Sequence, residues 1–141
     1  MNLVSIIMGA YNEAANLKIS AESIRKQTYR HWELIVVNDA STDETGEILK
    51  TFARYDERIK IITNEINSGL ANCLNMAIHI AAGEYIARMD ADDIAFPDRL
   101  EKQVSFLDQH LDIAVLGAGG IDIDDRGNEG KCLLGRETHE D

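Results

Sequence analysis

Apolar positions fall in short blocks separated by longer amphipathic stretches. Leu3 to Met8 is an apolar run rich in Val and Ile, the pattern of a strand buried on both faces. Gly9-Ala10-Tyr11-Asn12 interrupts it, with Asn12 placed to cap a helix. From Glu13 to Gln27, Ala14, Leu17, Ala21 and Ile24 recur at helical spacing. Glu33 to Val37 reads as a second buried strand and Asn38 to Thr42 as a loop. Asp43 to Phe52 follows as a second helix, with Thr45, Ile48, Leu49 and Phe52 on one side. Ile59 to Thr63 reads as a third strand. After the loop Asn64 to Ser68, a third helix directs Leu70, Leu74, Ala77, Ile78 and Ala81 inward, with Gly83 in the place of a C-cap glycine. Glu84 to Met89 reads as a fourth strand and Asp90 to Phe96 as a polar loop. Pro97 then opens a fourth helix, whose Leu100, Val104, Leu107 and Leu111 face inward. Ile113 to Leu116 reads as a fifth strand.

Strand and helix therefore alternate, which predicts an α/β fold. Its core is a Rossmann-like, mostly parallel sheet with helices on both faces and right-handed crossovers. No internal repeat or linker divides the chain, so its 141 residues are expected to form one domain. The pattern changes after Leu116, where residues 117–141 hold six of the ten glycines. Ile121-Asp122-Ile123 alternates like an exposed strand and Asp125-Arg126-Gly127-Asn128 is a good turn, so this tail reads as an irregular hairpin.

Composition narrows the classes. A chain with 45% hydrophobic and 28% charged residues is globular, neither disordered nor low in complexity. Its 14 Lys and Arg against 25 Asp and Glu give a net charge of −11, which repels a phosphate backbone, so no nucleic-acid partner is expected. Two cysteines, Cys73 and Cys132, make no disulfide framework and no metal spacing, and idle thiols fit a reducing compartment. No apolar run reaches the roughly 18 residues of a membrane span, and the N-terminus has no basic leader. The expected location is cytoplasmic, including the cytosolic face of a membrane.

In an open parallel sheet, ligands bind beyond the carboxyl ends of the strands. The predicted strand ends carry Tyr11, Asn12 and Glu13; Asn38, Asp39, Ser41, Thr42 and Asp43; Asn64, Asn67 and Gly69; and Asp90, Asp92 and Asp93. That rim is acidic and rich in amides. Within Asp90-Ala91-Asp92-Asp93, an extended backbone would aim residues two apart the same way. Paired carboxylates are costly unless a cation neutralises them. A hard divalent ion such as magnesium or manganese takes one or two carboxylates and completes its shell with substrate phosphates.

Each feature also has an ordinary structural explanation. The acidic run could be a solvated turn, Asp39 or Ser41 could order their own loop, and Thr42 could cap the second helix. Asn67 and Gly69 could form a turn, and Glu13 could be a first-turn acid. His31, His79, His110 and His139 show no ligand spacing and read as structural or surface residues. Tyr29 and Trp32 read as packing at the start of the second strand.

Five segments in order carry a resemblance. These are S-I-I-M-x-A-Y-N-E, V-V-N-D-A-S-T-D, N-x-x-N-S-G-L-A-x-x-L-N, G-E-Y-I-A-R-M-D-A-D-D and P-D-R-L-E-K-Q. Together, from Val4 to about Gly120, they resemble family 2 glycosyltransferases, which have the GT-A fold and use nucleotide sugars. The resemblance implies that Ala10, Tyr11 and Glu13 line a nucleotide pocket, that Asp39 contacts the base, commonly uracil, and that Asn67 and Gly69 shape the base and ribose side. It implies that Arg88 supports the acidic loop or the phosphates. Asp90 would touch the ribose or the metal, and Asp92 would hold a Mn2+ or Mg2+ ion bridging the diphosphate, with Asp93 close by. It also implies inverting transfer of a sugar, UDP-linked by preference, to a carbohydrate or lipid-linked acceptor, as in polysaccharide biosynthesis.

The chain departs from the family pattern in three places. Gly9 stands where proline is usual, which suggests a looser first turn. Asn38-Asp39 replaces a pair of aspartates. The family's catalytic base lies downstream, in an acceptor-binding half not expected within residues 1–141; Glu140-Asp141 comes too soon after Asp92 to be assigned that role. Residues 1–141 therefore read as the nucleotide-sugar part of a GT-A domain, with a binding module that lacks transfer as the alternative. A phosphoacceptor receiver fits poorly, because its paired acids would follow the first strand, where this chain has Gly9-Ala10-Tyr11-Asn12, and the lysine expected after the fifth strand is replaced by Gly117-Ala118-Gly119-Gly120. An uncovered sheet edge beyond the fifth strand would invite a homodimer.

Overall fold

The structure is a computed structural model that describes residues 2–124 and 126–133. Two compact units divide it, Met1–Val104 and Ser105–Asp141. The first contains strands β1 (Val4–Ala10), β2 (Trp32–Asn38), β3 (Ile59–Thr63) and β4 (Tyr85–Arg88), and helices α1 (Leu17–Arg25), α2 (Thr45–Tyr55) and α3 (Leu70–Ile80). It also contains the start of α4 (Arg99–Gln109). The second contains an antiparallel pair, β5 (Gly120–Ile123) and β6 (Glu129–Leu133).

The four strands of the first unit are all parallel, in the order β3-β2-β1-β4. Val, Ile and Met dominate β1 and β2, and both strands are buried almost throughout, as central strands of a covered parallel sheet must be. On one face, Val4, Ile6 and Met8 of β1 and Trp32, Leu34 and Val36 of β2 pack with Leu17 and Ile24 of α1, Leu49 of α2, and Leu100 and Val104 of α4. On the other, Ile7, Ile35 and Val37 pack with Cys73 and Ala77 of α3. Trp32 is buried, with the Arg58 guanidinium 3.6 Å from its ring centroid, so it does pack as its sequence position suggests. Among the described residues no helix is long and apolar enough to cross a membrane.

Several sequence expectations need correction. Residues 113–119 form no strand, so the sheet has four members and not five. A four-residue apolar run cannot be told from irregular backbone by periodicity, and Val115 lies exposed. Helix α1 begins at Leu17 and not at Glu13, because Asn12 adopts φ +55° and a turn over residues 14–16 intervenes. Asn12 is therefore no cap of α1. Helix α4 begins after Pro97 and ends before Leu111. In α3 the buried stripe is Cys73 and Ala77, while Leu70 and Ile78 are exposed.

Gly83 is not a C-cap, since α3 ends on Ala81 in an extended conformation. A Cβ on Gly83 would come within 2.5 Å of the Ser5 nitrogen, so this glycine permits close backbone approach. Gly9 does not loosen a turn either. It is paired within β1, and its missing side chain makes room for Leu70 and Cys73. The predicted hairpin is present over β5 and β6, its turn closed by the Gly127 N–H donating to the Asp124 carbonyl at 2.8 Å. Asp125, His139 and Glu140-Asp141 lie outside the described residues.

Candidate functional site

Strand order alone locates the site. The chain moves outward from β1 to β2 to β3 and then returns to place β4 on the other side of β1. Adjacent connections leave in opposite directions at that switch, opening a crevice at the carboxyl ends of β1 and β4. A cleft of about 390 Å³ lies there, lined by Ala10, Tyr11, Glu13, Asp39, Asn67, Gly69, Asp90 and Asp92, with Gly9, Leu70, Cys73 and Ala91. Of the residues the resemblance implies at the site, all but Arg88 and Asp93 line it, whereas Asn12, Asn38, Ser41, Thr42, Asp43 and Asn64 of the predicted rim do not.

The first wall is the loop after β1. Its backbone has no strand partner, and the loop after β2 supplies the acceptors it needs. The Asn12 N–H donates to Ser41 Oγ at 3.1 Å, the Glu13 N–H to Thr45 Oγ1 at 2.8 Å and the Ala14 N–H to Asp43 Oδ2 at 3.1 Å. In return the Thr42 N–H donates to Asn12 Oδ1 at 2.8 Å. Two residues other than glycine, Asn12 and Ala40, hold left-handed backbone here, at φ +55° and +59°. Such conformations persist where surrounding contacts enforce them. The hydroxyl and carboxylate run from Ser41 to Thr45 is thus a brace for Tyr11 and Glu13. Thr42 does not cap α2, whose N-cap is Glu44.

The second wall is organised by Asp39, which is buried. Its carboxylate accepts Asn64 Nδ2 at 2.7 Å, the Ser68 N–H at 2.9 Å, Ser68 Oγ at 3.0 Å and the Gly69 N–H at 2.7 Å. Burial pushes this carboxyl up, but these hydrogen bonds outweigh burial and hold it well below the usual carboxylate range. Asn67 Nδ2 donates to the Asp39 carbonyl at 3.3 Å. Gly69, at φ +86°, turns the chain into α3. Asp39 does order a loop, but that loop is the one that brings Asn67 and Gly69 into the cleft. Ser68 went unnoticed in the sequence, as did Leu70 and Cys73 as cleft residues. Burial pushes the Cys73 thiol up, and the nearby Asp39 charge adds to that.

The third wall is the acidic segment after β4. It is a turn and not an extended stretch, closed by the Asp93 N–H donating to the Asp90 carbonyl at 3.2 Å. Ala91 is buried at its centre, and Asp90 and Asp92 on either side both line the cleft. Arg88 stands outside the lining and holds Asp90, with one terminal nitrogen 2.9 Å from each carboxylate oxygen. The Asp93 carboxyl is raised, first by desolvation and then by the Asp90 and Asp92 charges, which marks a concentration of negative potential. The donors are all carboxylate oxygens, a set suited to a hard divalent cation. Among the described residues no three His, Cys, Asp or Glu side chains form a group that could hold a metal by themselves, so ligand oxygens would have to complete such a shell.

His31, His79 and His110 are exposed and lie outside this lining.

The sequence and the fold both have relatives. The chain is 49% identical over 132 residues to EpsE of Bacillus subtilis (strain 168), a protein named as a glycosyltransferase, covering 93% of this chain and 48% of EpsE. It is 44% identical over 105 residues to UDP-Glc:alpha-D-GlcNAc-diphosphoundecaprenol beta-1,3-glucosyltransferase WfgD of Escherichia coli, covering 74% of this chain and 41% of WfgD. It thus spans about half or less of these relatives. Among solved structures, S. aureus TarS 1-349 in complex with UDP superposes with a TM-score of 0.71 at 31% identity, covering 77% of this chain and 32% of that one. The mannosyltransferase PcManGT of Pyrobaculum calidifontis, in complex with GDP-Man and Mn2+, gives 0.71 at 28%, covering 84% and 34%. The sequence pattern described as Glycosyl transferase family 2 matches residues 5–136, and to that family, with its GT-A fold, the chain belongs.

Proposed function

We propose that this chain forms the nucleotide-sugar site of an inverting, metal-dependent glycosyltransferase that takes a UDP-sugar and delivers the sugar to a carbohydrate or lipid-linked hydroxyl. One observation carries the reading. The acidic turn at Asp90 to Asp93 and the Asp39-centred wall face a single cleft at the switch point of the sheet. A nucleoside diphosphate has a base and an anionic tail, and this cleft offers a wall for each.

In this reading Asp39, Asn67 and Gly69 receive the base and ribose. Asp39 still lines the cleft while bound to Ser68 and Gly69, so a ring N–H of the base can meet a carboxylate that is ionised and fixed in place. Ala10, Tyr11 and Glu13 form the facing side. Asp92 and Asp90 hold a divalent ion, Mn2+ or Mg2+, with Arg88 fixing the orientation of Asp90. The ion supplies charge neutralisation for the departing diphosphate. Deprotonation of the acceptor requires a general base, which we place beyond these residues. The UDP bound by TarS and the GDP-Man and Mn2+ bound by PcManGT support the ligand class. Free thiols at Cys73 and Cys132 fit a reducing, cytosolic location.

Calorimetric titration of UDP tests the reading, with and without Mn2+, on the chain and on Asp92→Ala. Expected is UDP binding that Mn2+ strengthens in the parent chain and does not strengthen in Asp92→Ala. GDP and dTDP in the same format settle the base. Failure of all three nucleotides to bind would refute a nucleotide-sugar site in this chain.

A further inference from the structure

The acidic turn belongs to a segment, residues 89–98, that contains no helix or strand. Its shape must be imposed by something else, and one stripe of α1 and the residues just beyond it do so. Ser20, Ser23 and Gln27 are each buried, spaced as neighbours along one helical face. Buried polar groups are costly unless paired, and all three are paired to this segment. Ser20 Oγ donates to the Asp90 carbonyl at 3.5 Å, and the Ala95 N–H donates to Ser23 Oγ at 3.0 Å. Gln27 uses both ends of its amide: Nε2 donates to the Phe96 carbonyl at 2.7 Å, and Oε1 accepts the Leu100 N–H at 3.0 Å. The next residue continues the pattern, the Thr28 N–H donating to the Pro97 carbonyl at 2.8 Å. From the other side Arg99 donates to the Arg88 carbonyl at 3.0 Å.

A helix packed only for stability would place apolar side chains on this stripe, as α1 does at Leu17, Ala21 and Ile24. Hydrogen bonds add direction, which apolar packing lacks. We infer that Ser20, Ser23 and Gln27 are positioning residues that set the affinity of the acidic turn for a divalent cation and a diphosphate. This inference rests on the proposed nucleotide-sugar site. Ligand geometry must be held within a few tenths of an ångström, and residues that orient a ligand-bearing segment matter nearly as much as the ligands.

The test uses Ser23→Ala and Gln27→Met, which keep approximate bulk and remove the hydrogen bonds. UDP binding is titrated with and without Mn2+, amide exchange is followed over residues 90–100, and unfolding midpoints are recorded. Expected is a loss of about 10- to 100-fold in the Mn2+-dependent affinity, with faster exchange at Ala95 in Ser23→Ala and at Leu100 in Gln27→Met. The affinity for UDP alone, which reports the Asp39 wall, should stay within about twofold. Equal losses with and without Mn2+ would reduce the stripe to ordinary packing and overturn the inference. So would unchanged Mn2+ dependence in both variants while the parent chain binds. A parent chain that binds no nucleotide would overturn the proposed site itself, and this inference with it.

Discussion

The Gly69 N–H donates to the buried Asp39 carboxylate at 2.7 Å, joining the end of β2 to the start of α3. This bond and its neighbours from Asn64 and Ser68 make Asp39 both part of a wall and the brace of that wall. Asp39→Asn would replace one acceptor oxygen with an NH2 that faces N–H donors. The variant is expected to lose about 2–3 kcal/mol, measured by urea unfolding near neutral pH.

Acid sensitivity follows from the same group. Its folded-state carboxyl is held below the ordinary value, so its contribution is complete above the ordinary carboxylate range and falls as pH drops toward the folded value. Glu33, held low by Lys60, Ser5 and Ala82 against the opposing effect of burial, acts in the same direction. Unfolding midpoints should therefore fall between about pH 5 and about pH 3, and less steeply in Asp39→Asn than in the parent chain. Parallel pH profiles for the two proteins would refute this assignment.

Ala40, the residue after the cleft-lining Asp39, holds φ +59°. Left-handed backbone costs a residue with a Cβ about 1–2 kcal/mol, whereas the flexibility of glycine costs about 0.5–1 kcal/mol. Ala40→Gly is therefore expected to raise stability by about 0.5–1 kcal/mol, with denaturant midpoints as the readout. Destabilisation would mean that the Ala40 methyl contributes more packing than the backbone costs.

Gly83 presents the opposite case. A Cβ there would meet the Ser5 nitrogen at 2.5 Å and the Leu3 carbonyl at 2.8 Å, both backbone atoms that cannot swing away. It would also disturb the Gly83 N–H bond to Ser5 Oγ, which in turn donates to the buried Glu33. Gly83→Ala is expected to lose about 2–3 kcal/mol, read as a lower unfolding midpoint. A neutral effect would show that β1 can shift away from this turn.

The strands β1 to β4, the parallel α/β class and most of the rim were legible in the sequence, which also suggested a fifth sheet strand that the fold lacks. Strands buried on both faces leave unbroken apolar runs, as Leu34 to Val37 does in β2, and the less buried β3 still spans Ile59–Thr63 as expected. Cleft residues were legible because a parallel sheet gathers its strand ends on one edge, so Asp39, Asn67, Asp90 and Asp92 could be placed together from chain order alone. Tertiary structure decided what periodicity cannot encode. Only the narrow contact between α3 and the sheet selects Cys73 and Ala77 over Leu70 and Ile78 as the buried stripe. Only the approach of residue 83 to β1 explains Gly83. Periodicity along α1 does not say what the polar stripe of Ser20, Ser23 and Gln27 meets. Its partners lie about 70 positions away in the chain, and hydrogen bonds across such distances exist only once the fold has formed.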